Sequence, residues 1–250
     1  MLLHGFTDTW RTWELVLAQL ERHHDVLAPT LPGHAGGPPL DGEVSASLLP
    51  DAVERAMDAA GFETAHIAGN SLGGFVALQL AARGRARSVV ALAPAGGWAD
   101  GDDESRQRTL ELFPAMQEQL ALMAPNVDAV MATREGRRRA TLLTSTSFEH
   151  IPAELLVHQV LGVVGCKGLR PMVEYAIREG YELDAERIDC PVRIVWGTED
   201  KLLPWPSAAA RFRADWLPHA DWVELEGVGH APQLDVPLEA AELILGLSAR

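Results

Sequence analysis

One serine in this chain sits where a nucleophile would. Gly69-Asn70-Ser71-Leu72-Gly73-Gly74 has the pattern G-x-S-x-G, between the short apolar run His66-Ile67-Ala68 and a nearly all-apolar stretch over residues 75–82. The pattern does chemistry where a strand turns sharply into a helix. The corner residue is then held exposed and strained, and flanking glycines remove side chains that would clash. The helix N-terminus beside it favours developing negative charge. A serine hydroxyl is a poor nucleophile without a base. Of the nine histidines, His230 in Gly227-Val228-Gly229-His230-Ala231-Pro232 is the best placed, because it follows a strand-like run at 222–225 in a glycine-rich loop. An imidazole base needs a carboxylate to hold its tautomer and stabilise the imidazolium. Asp200 in Gly197-Thr198-Glu199-Asp200, after the apolar run 192–196, can supply it, with Glu199 as its adjacent rival and Asp100 and Asp102 as further ones.

Holding these groups together requires a scaffold that brings distant loops to one edge. Residues 2–3, 25–28, 66–68, 88–93, 192–196 and 222–225 read as strands. Helices are expected over 13–20, 48–60, 75–82, 208–216 and 237–247, with Gly61 as a natural residue just past a helix end. Residues 29–40 are a Pro- and Gly-rich loop. Alternating strands and helices imply an α/β fold with a mostly parallel sheet and helices on both faces. From 97 to 180 the alternation stops, and the stretch reads as helices broken at Pro114, Pro125, Pro152 and Pro171. The expected organisation is a core of residues 1–96 and 181–250 with an inserted helical cap, 97–180. The cap would cover the sheet's C-terminal edge, where open α/β sheets bind ligands.

Ser71, Asp200 and His230 each follow a strand, in the order nucleophile, acid, base. In that order and context the sequence resembles the α/β-hydrolase superfamily, in its capped, esterase-like members. His4-Gly5-Phe6, Leu31-Pro32-Gly33-His34, Gly69 to Gly74, and the segments Gly197 to Asp200 and Gly229-His230 carry the resemblance. It implies the α/β-hydrolase fold, a Ser71–His230–Asp200 triad, and an oxyanion hole from the backbone N–H groups of Leu72 and Phe6. Gly5, Asn70 and Trp98 are the expected pocket-lining residues, with a supporting place beside the nucleophile as the alternative for Asn70. The implied reaction is cleavage of a carboxylic ester or related acyl compound, with a small hydrophobic acyl group, through an acyl-enzyme on Ser71 and without metal or organic cofactor. The same triad also serves carbon–carbon bond, lactone and thioester hydrolases and cofactor-free lyases or perhydrolases. A ligand-binding protein that keeps the fold without catalysis is a third class. An aspartate at the elbow would mark a haloalkane dehalogenase or epoxide hydrolase, and Ser71 argues against both. Gly-Asn-Ser also occurs in carbon–carbon bond hydrolases, which usually follow the histidine with Trp, whereas Ala231 stands here.

Composition narrows the classes further. The 250 residues include 21 Lys and Arg against 35 Asp and Glu, a formal net charge of −14, with 47% hydrophobic residues. That excludes a disordered chain and argues against nucleic-acid partners. No apolar run approaches the roughly 20 residues that cross a bilayer. Cys166 and Cys190 alone make no disulfide framework and point to a reducing, cytoplasmic compartment. His23-His24 lacks further ligands at metal spacing, His34 is expected to be structural, and Arg137-Arg138-Arg139 a solvated helix face rather than a docking site for an acidic carrier. Trp98, Phe113, Met116, Leu120, Met123, Phe148, Leu155 and Leu156 are expected mainly in the core of the cap. The opening Met1-Leu2-Leu3-His4-Gly5-Phe6 has no leader character. Members of the resembled family usually place two strands before the one that opens this chain. The expectation is therefore either a shortened chain or gene start, or a homodimer paired through a sheet edge exposed at 25–28.

Overall fold

The computed structural model describes residues 1–248. Five strands form one sheet in the order β1 (Leu2–Leu3), β2 (Ala65–Asn70), β3 (Ala86–Leu92), β4 (Val192–Gly197) and β5 (Asp221–Leu225), each neighbouring pair parallel. Successive side chains of a strand point to opposite faces, and here both faces are apolar. Ile67, Val89, Ala91, Ile194 and Trp196 pack on one side with α2 (Leu48–Ala59) and α3 (Leu72–Ala82), through Val53, Met57, Phe75, Val76 and Leu80. Ala68, Val90, Leu92, Val195 and Leu225 pack on the other with α1 (Glu14–Leu20) and the C-terminal helix Pro237–Ser248, through Val16, Leu20, Ala240, Ala241 and Ile244. Burial on both faces is why the central strands β3 and β4 read as largely apolar runs, whereas the edge strand β5 is buried only at Leu225. Because all the strands run one way, their C-terminal ends share one edge, and the loops that follow β1, β2, β4 and β5 meet there.

After β3 the chain leaves the sheet and returns at β4. The insert comprises α4 (Asp103–Met123), α5 (Val127–Met131), α6 (Arg134–Ala140), α7 (Ala153–Gly165) and α8 (Leu169–Glu179). Asp102 caps α4, accepting from Ser105 N at 3.2 Å, and two acids follow in the first turn, where the helix dipole favours them. One apolar cluster joins Leu110 and Phe113 of α4 to Leu169, Val173 and Ala176 of α8. A second joins Val127, Met131, Phe148, Leu155 and Val160 to Ala231, which caps the short helix α9 (Pro232–Asp235), and to Leu234 within it. This second cluster attaches the insert to the loop that carries His230. The helix Pro237–Ser248 is α10.

The structure departs from the sequence expectation in four places. Residues 25–28 do not form a strand. Leu27 O accepts from Leu2 N at 2.9 Å, and this single bond is too little for a ladder. Pro114 lies inside α4 without breaking it. Its missing N–H and ring clash cost a helix about 3 kcal/mol. Here Leu110 and Phe113 are buried before it, and Gln117 after it donates to the carbonyls of Val163 at 2.9 Å and Cys166 at 3.1 Å. Pro171 is the third residue of α8, where an N–H has no intrahelical partner to lose. Residues 208–216 form a 3₁₀ turn (Ser207–Ala209) and a π turn (Phe212–Trp216) in place of an α-helix. There Phe212 is fully buried, edge-on to Trp216, and the Arg211 guanidinium sits 4.2 Å from the Trp216 ring centre.

Candidate active site

Ser71 is the single residue between β2 and α3, with φ 53° and ψ −118°. That is a left-handed backbone for a residue with a Cβ, a strain that persists only where the surroundings enforce it. They do so by close backbone approach. A Cβ on Gly69 would collide with the Gly73 carbonyl, and one on Gly73 would collide with the Leu3 carbonyl. Ser71 N donates to Leu92 O at 2.9 Å, and Ser71 O accepts from Ala95 N at 3.0 Å and Phe75 N at 3.1 Å. The corner is thereby fixed to the end of β3 and to the first turn of α3. Leu72 begins α3, so its N–H lacks an intrahelical acceptor. The Gly5-Phe6 turn after β1 packs directly on the serine, since a Cβ at Gly5 would lie 3.3 Å from Ser71 Cβ.

The structure brings Asp200 and His230 together. Asp200 Oδ2 lies 2.7 Å from His230 Nδ1, and both residues are buried. The other oxygen, Oδ1, accepts from Leu202 N at 2.9 Å and Leu203 N at 2.7 Å. Trp196 Nε1 pins the same turn by donating to Leu203 O at 3.0 Å. Glu199 is exposed and Asp102 is used as a helix cap, so neither competes for the histidine. Asp100 is also exposed. The acid and histidine loops touch through backbone, for a Cβ on Gly197 would collide with the carbonyls of Val228 and Gly229. His230 Nε2 is buried without a hydrogen-bond partner among the described residues. A Ser71–His230 hydrogen bond is therefore not formed. Such bonds are often long in a free enzyme and tighten when substrate is present.

Asn70 links the two loops instead. Its Nδ2 donates to Leu92 O at 3.1 Å and to His230 O at 3.0 Å, while its Oδ1 accepts from Gln233 Nε2 at 3.1 Å. Gln233 Nε2 also lies 3.1 Å from Thr12 Oγ1. Asn70 and Gly5 thus belong to the support of the site and do not line the cavity, contrary to expectation. A cavity of about 280 Å³ opens over Ser71. Phe6 and Leu72 line it beside the serine, and Phe75, Trp98, Leu110, Phe113, Met172 and Val173 are among the residues of its wall. Trp98, one of the expected pocket-lining residues, faces the cavity, and so does Phe113, expected mainly in the insert's own core. Among the described residues no Lys, Arg or His lines it. Its two acids are ion-paired elsewhere, Glu182 with Arg211 at 3.2 Å and Glu179 with Arg178 at 2.6 Å.

The remaining candidates find structural uses. Arg138 and Arg139 both pair with exposed Glu135 at 2.8 Å, so that helix face is solvated. The Cys166 thiol is pushed up to about 11 by burial, which keeps it protonated and unreactive. His34 is buried beside His4, their ring centres 4.8 Å apart. His4 Nδ1 lies 2.8 Å from Gly5 O, and its Nε2 accepts from Leu31 N at 2.9 Å, which holds the Gly5-Phe6 turn in place. Burial pushes His34 down to about 4. Burial first, and then the neighbouring His34, holds His4 well below its usual range. Both rings are neutral in the fold, so the unfolded chain binds more protons between pH 6.5 and 4. Stability is complete above pH 6.5 and falls as pH drops through that window. For His34 alone the loss by pH 4.5 should be about 2–3 kcal/mol. Urea unfolding at pH 7 and 4.5 measures it, and His34→Gln should shrink the difference by that amount; an unchanged difference would refute the assignment.

Sequence reasoning did not find His4, Gln233 or Asp235 as supports. The signal available was Pro232-Gln233-Leu234-Asp235, two polar residues in a stretch otherwise built for burial. Gln233 and Asp235 are in fact almost wholly buried. Among the described residues no group of His, Cys, Asp or Glu is arranged to hold a metal ion, and no described helix is long and apolar enough to cross a membrane.

Comparison with known proteins gives a consistent picture. A profile described as the alpha/beta hydrolase family matches residues 1–243. The epoxide hydrolase EphH of Mycobacterium tuberculosis is 34% identical over 80% of this chain and 94% of its own length. A pimeloyl-[acyl-carrier protein] methyl ester esterase of Aromatoleum aromaticum is 29% identical over 98% of this chain and 95% of its own. Among solved structures, a thermophilic esterase from Thermogutta terrifontis superposes with a TM-score of 0.71 at 18% identity, covering 98% of this chain and 87% of that one.

Proposed function

This chain belongs to the alpha/beta hydrolase family and is a hydrolase, and within that family we propose that it cleaves uncharged carboxylic esters with an apolar acyl group, through an acyl-enzyme on Ser71. The observation that carries this reading is the pairing of a strained serine, opening into an apolar cavity, with a histidine whose Nδ1 is held by buried Asp200 and whose Nε2 is left unpaired. With Nδ1–H donating to the carboxylate, Nε2 carries the lone pair and is the base. It takes the Ser71 proton as Oγ attacks the ester carbonyl, and the N–H groups of Leu72 and Phe6 receive the oxyanion. Such donors are worth about 3–4 kcal/mol each in comparable sites. The imidazolium, stabilised by Asp200, then protonates the leaving alcohol, and water activated by His230 releases the acid.

The similarity to an epoxide hydrolase supports a second reading, epoxide opening, and Ser71 weighs against it. Attack of a serine oxygen on an epoxide carbon would form an ether. An ether offers no carbonyl for water to attack, so turnover would stop after one event. An ester carbonyl returns the serine.

A buried, unpaired carboxylate costs several kcal/mol, and among the described residues the cavity wall offers no cation. The expected outcome is that p-nitrophenyl butyrate is turned over at least about 100-fold more efficiently in kcat/KM than an equally long half-ester bearing a free carboxylate. A panel of neutral and acidic esters, lactones, thioesters, vinylogous diketones and styrene oxide checks this. Preferred turnover of the acidic half-ester, or multiple-turnover opening of styrene oxide with no ester cleavage, would reverse the assignment. A fluorophosphonate that labels Ser71 in wild type but not in His230→Ala would tie the serine to its base.

A further inference from the structure

A carboxylate that takes no part in the steps above ties the histidine loop to the helical insert. Asp235, the last residue of α9, is 3% exposed. Its Oδ2 accepts from Gly229 N at 2.7 Å, immediately before His230. Its Oδ1 accepts from Ser147 N at 2.6 Å, and both oxygens lie 3.0 Å from Thr146 N. The Thr146 hydroxyl is 2.9 Å from Oδ2 and 2.7 Å from Gly227 O. The same two segments meet again where Ala231 N donates to Thr144 O at 2.9 Å and where His150 Nε2 lies 2.7 Å from Leu234 O. A Cβ on Gly229 would come within 2.8 Å of Thr144 O. Residues 144–147, between α6 and α7, are thus laid along residues 227–231.

Packing alone does not call for a charge at this point. A buried carboxylate is costly unless donors surround it, and those surrounding Asp235 are backbone N–H groups of the two segments it joins, plus one hydroxyl. The charge-assisted bonds they form are short and directional. Together with Asn70, which donates to His230 O, they fix the backbone on both sides of the histidine. Starting from the reading of His230 as the base, we propose that Asp235 is a positioning residue. It locks the histidine loop to residues 144–147, so that the base is correctly set only when this part of the insert is seated.

The test compares Asp235→Asn with wild type, Ser71→Ala and Leu247→Ala. Leu247 is buried at the far end of α10 and serves as a matched loss of stability. An amide keeps the volume of Asp235 but turns an NH₂ toward backbone donors. The expected result is a loss of at least fivefold, and of order 10- to 100-fold, in kcat for p-nitrophenyl butyrate and in the rate of fluorophosphonate labelling of Ser71. KM should stay within twofold, because Asp235 is not part of the cavity wall. Leu247→Ala, melting at a similarly lowered temperature, should keep kcat within twofold. A loss under fivefold, a loss confined to KM, or an equal loss in Leu247→Ala would overturn the proposal. If Asp235→Asn does not fold, Thr146→Val decides, with a threefold fall in kcat at constant KM as the threshold. A Ser71→Ala protein as active as wild type would instead overturn the functional reading, and this proposal with it.

Discussion

Ser71→Ala should lose at least about 10⁵-fold in kcat for p-nitrophenyl butyrate while melting within a few degrees of wild type. The two halves of that expectation have separate causes. Alanine keeps the Cβ, so it inherits the same φ of 53° and the same strain as serine. The backbone bonds that hold the corner, to Leu92, Ala95 and Phe75, do not involve the side chain. What disappears is the Oγ, which lies at the cavity wall, so its removal leaves no sealed void. Stability is therefore nearly untouched. The chemistry, by contrast, loses the proposed covalent route, and only the polarisation of the carbonyl proposed for the Leu72 and Phe6 N–H groups would remain. Steady-state rates of purified protein, checked by mass spectrometry for loss of fluorophosphonate labelling, measure the first half. A thermal melt measures the second. Activity within 100-fold of wild type would mean that water, directly activated by His230, does the work and that no acyl-enzyme forms.

The parts of the site that were legible in the sequence are those written in short stretches. Ser71 is announced by glycines two residues to either side, whose reason is the collision that a Cβ would cause with backbone. Asp200 follows a run whose apolar character comes from burial on both sheet faces, and His230 follows the edge strand β5, marked by Trp222, Val223 and Leu225 rather than by full burial. The illegible parts depend on contacts between distant segments. Residues 25–28 have strand-like composition, but a strand exists only through its partner, and among the described residues just one backbone bond to β1 forms there. Pro114 obeys its local rule less than it obeys the burial of Phe113 and the grip of Gln117 on α7. Asp235 and Thr146 are 89 residues apart, and Asn70 and Gln233 163 apart. Nothing in the local pattern of any of these four marks it as one half of a pair. The side chains that support the chemistry were therefore harder to read than those proposed to perform it.

Asp200→Asn should cut kcat by about 10³- to 10⁴-fold without disturbing the fold, and the contacts of the two carboxylate oxygens explain how. Oδ1 is committed to two backbone N–H donors, Leu202 and Leu203. An asparagine will keep its carbonyl oxygen there, because turning its NH₂ toward two donors would leave three groups unsatisfied in a buried turn. The NH₂ must then occupy the Oδ2 position, 2.7 Å from His230 Nδ1. A donor at that point requires Nδ1 to accept, which moves the ring proton to Nε2. The nitrogen that should take the Ser71 proton then already carries one. The ring keeps its place and its hydrogen bond, so the structure hardly changes while the base is switched off. The same logic predicts that Asp200→Ala, which imposes no tautomer, is less impaired per molecule at high pH than Asp200→Asn, although it loses stability because the N–H groups of Leu202 and Leu203 go unanswered. Rates of both variants from pH 6 to 10, with the nitrogen proton located by NMR of labelled histidine, test the argument. An Asp200→Asn enzyme within tenfold of wild type, or one whose proton remains on Nδ1, would transfer the acid's role to another residue, with Glu199 the next to replace.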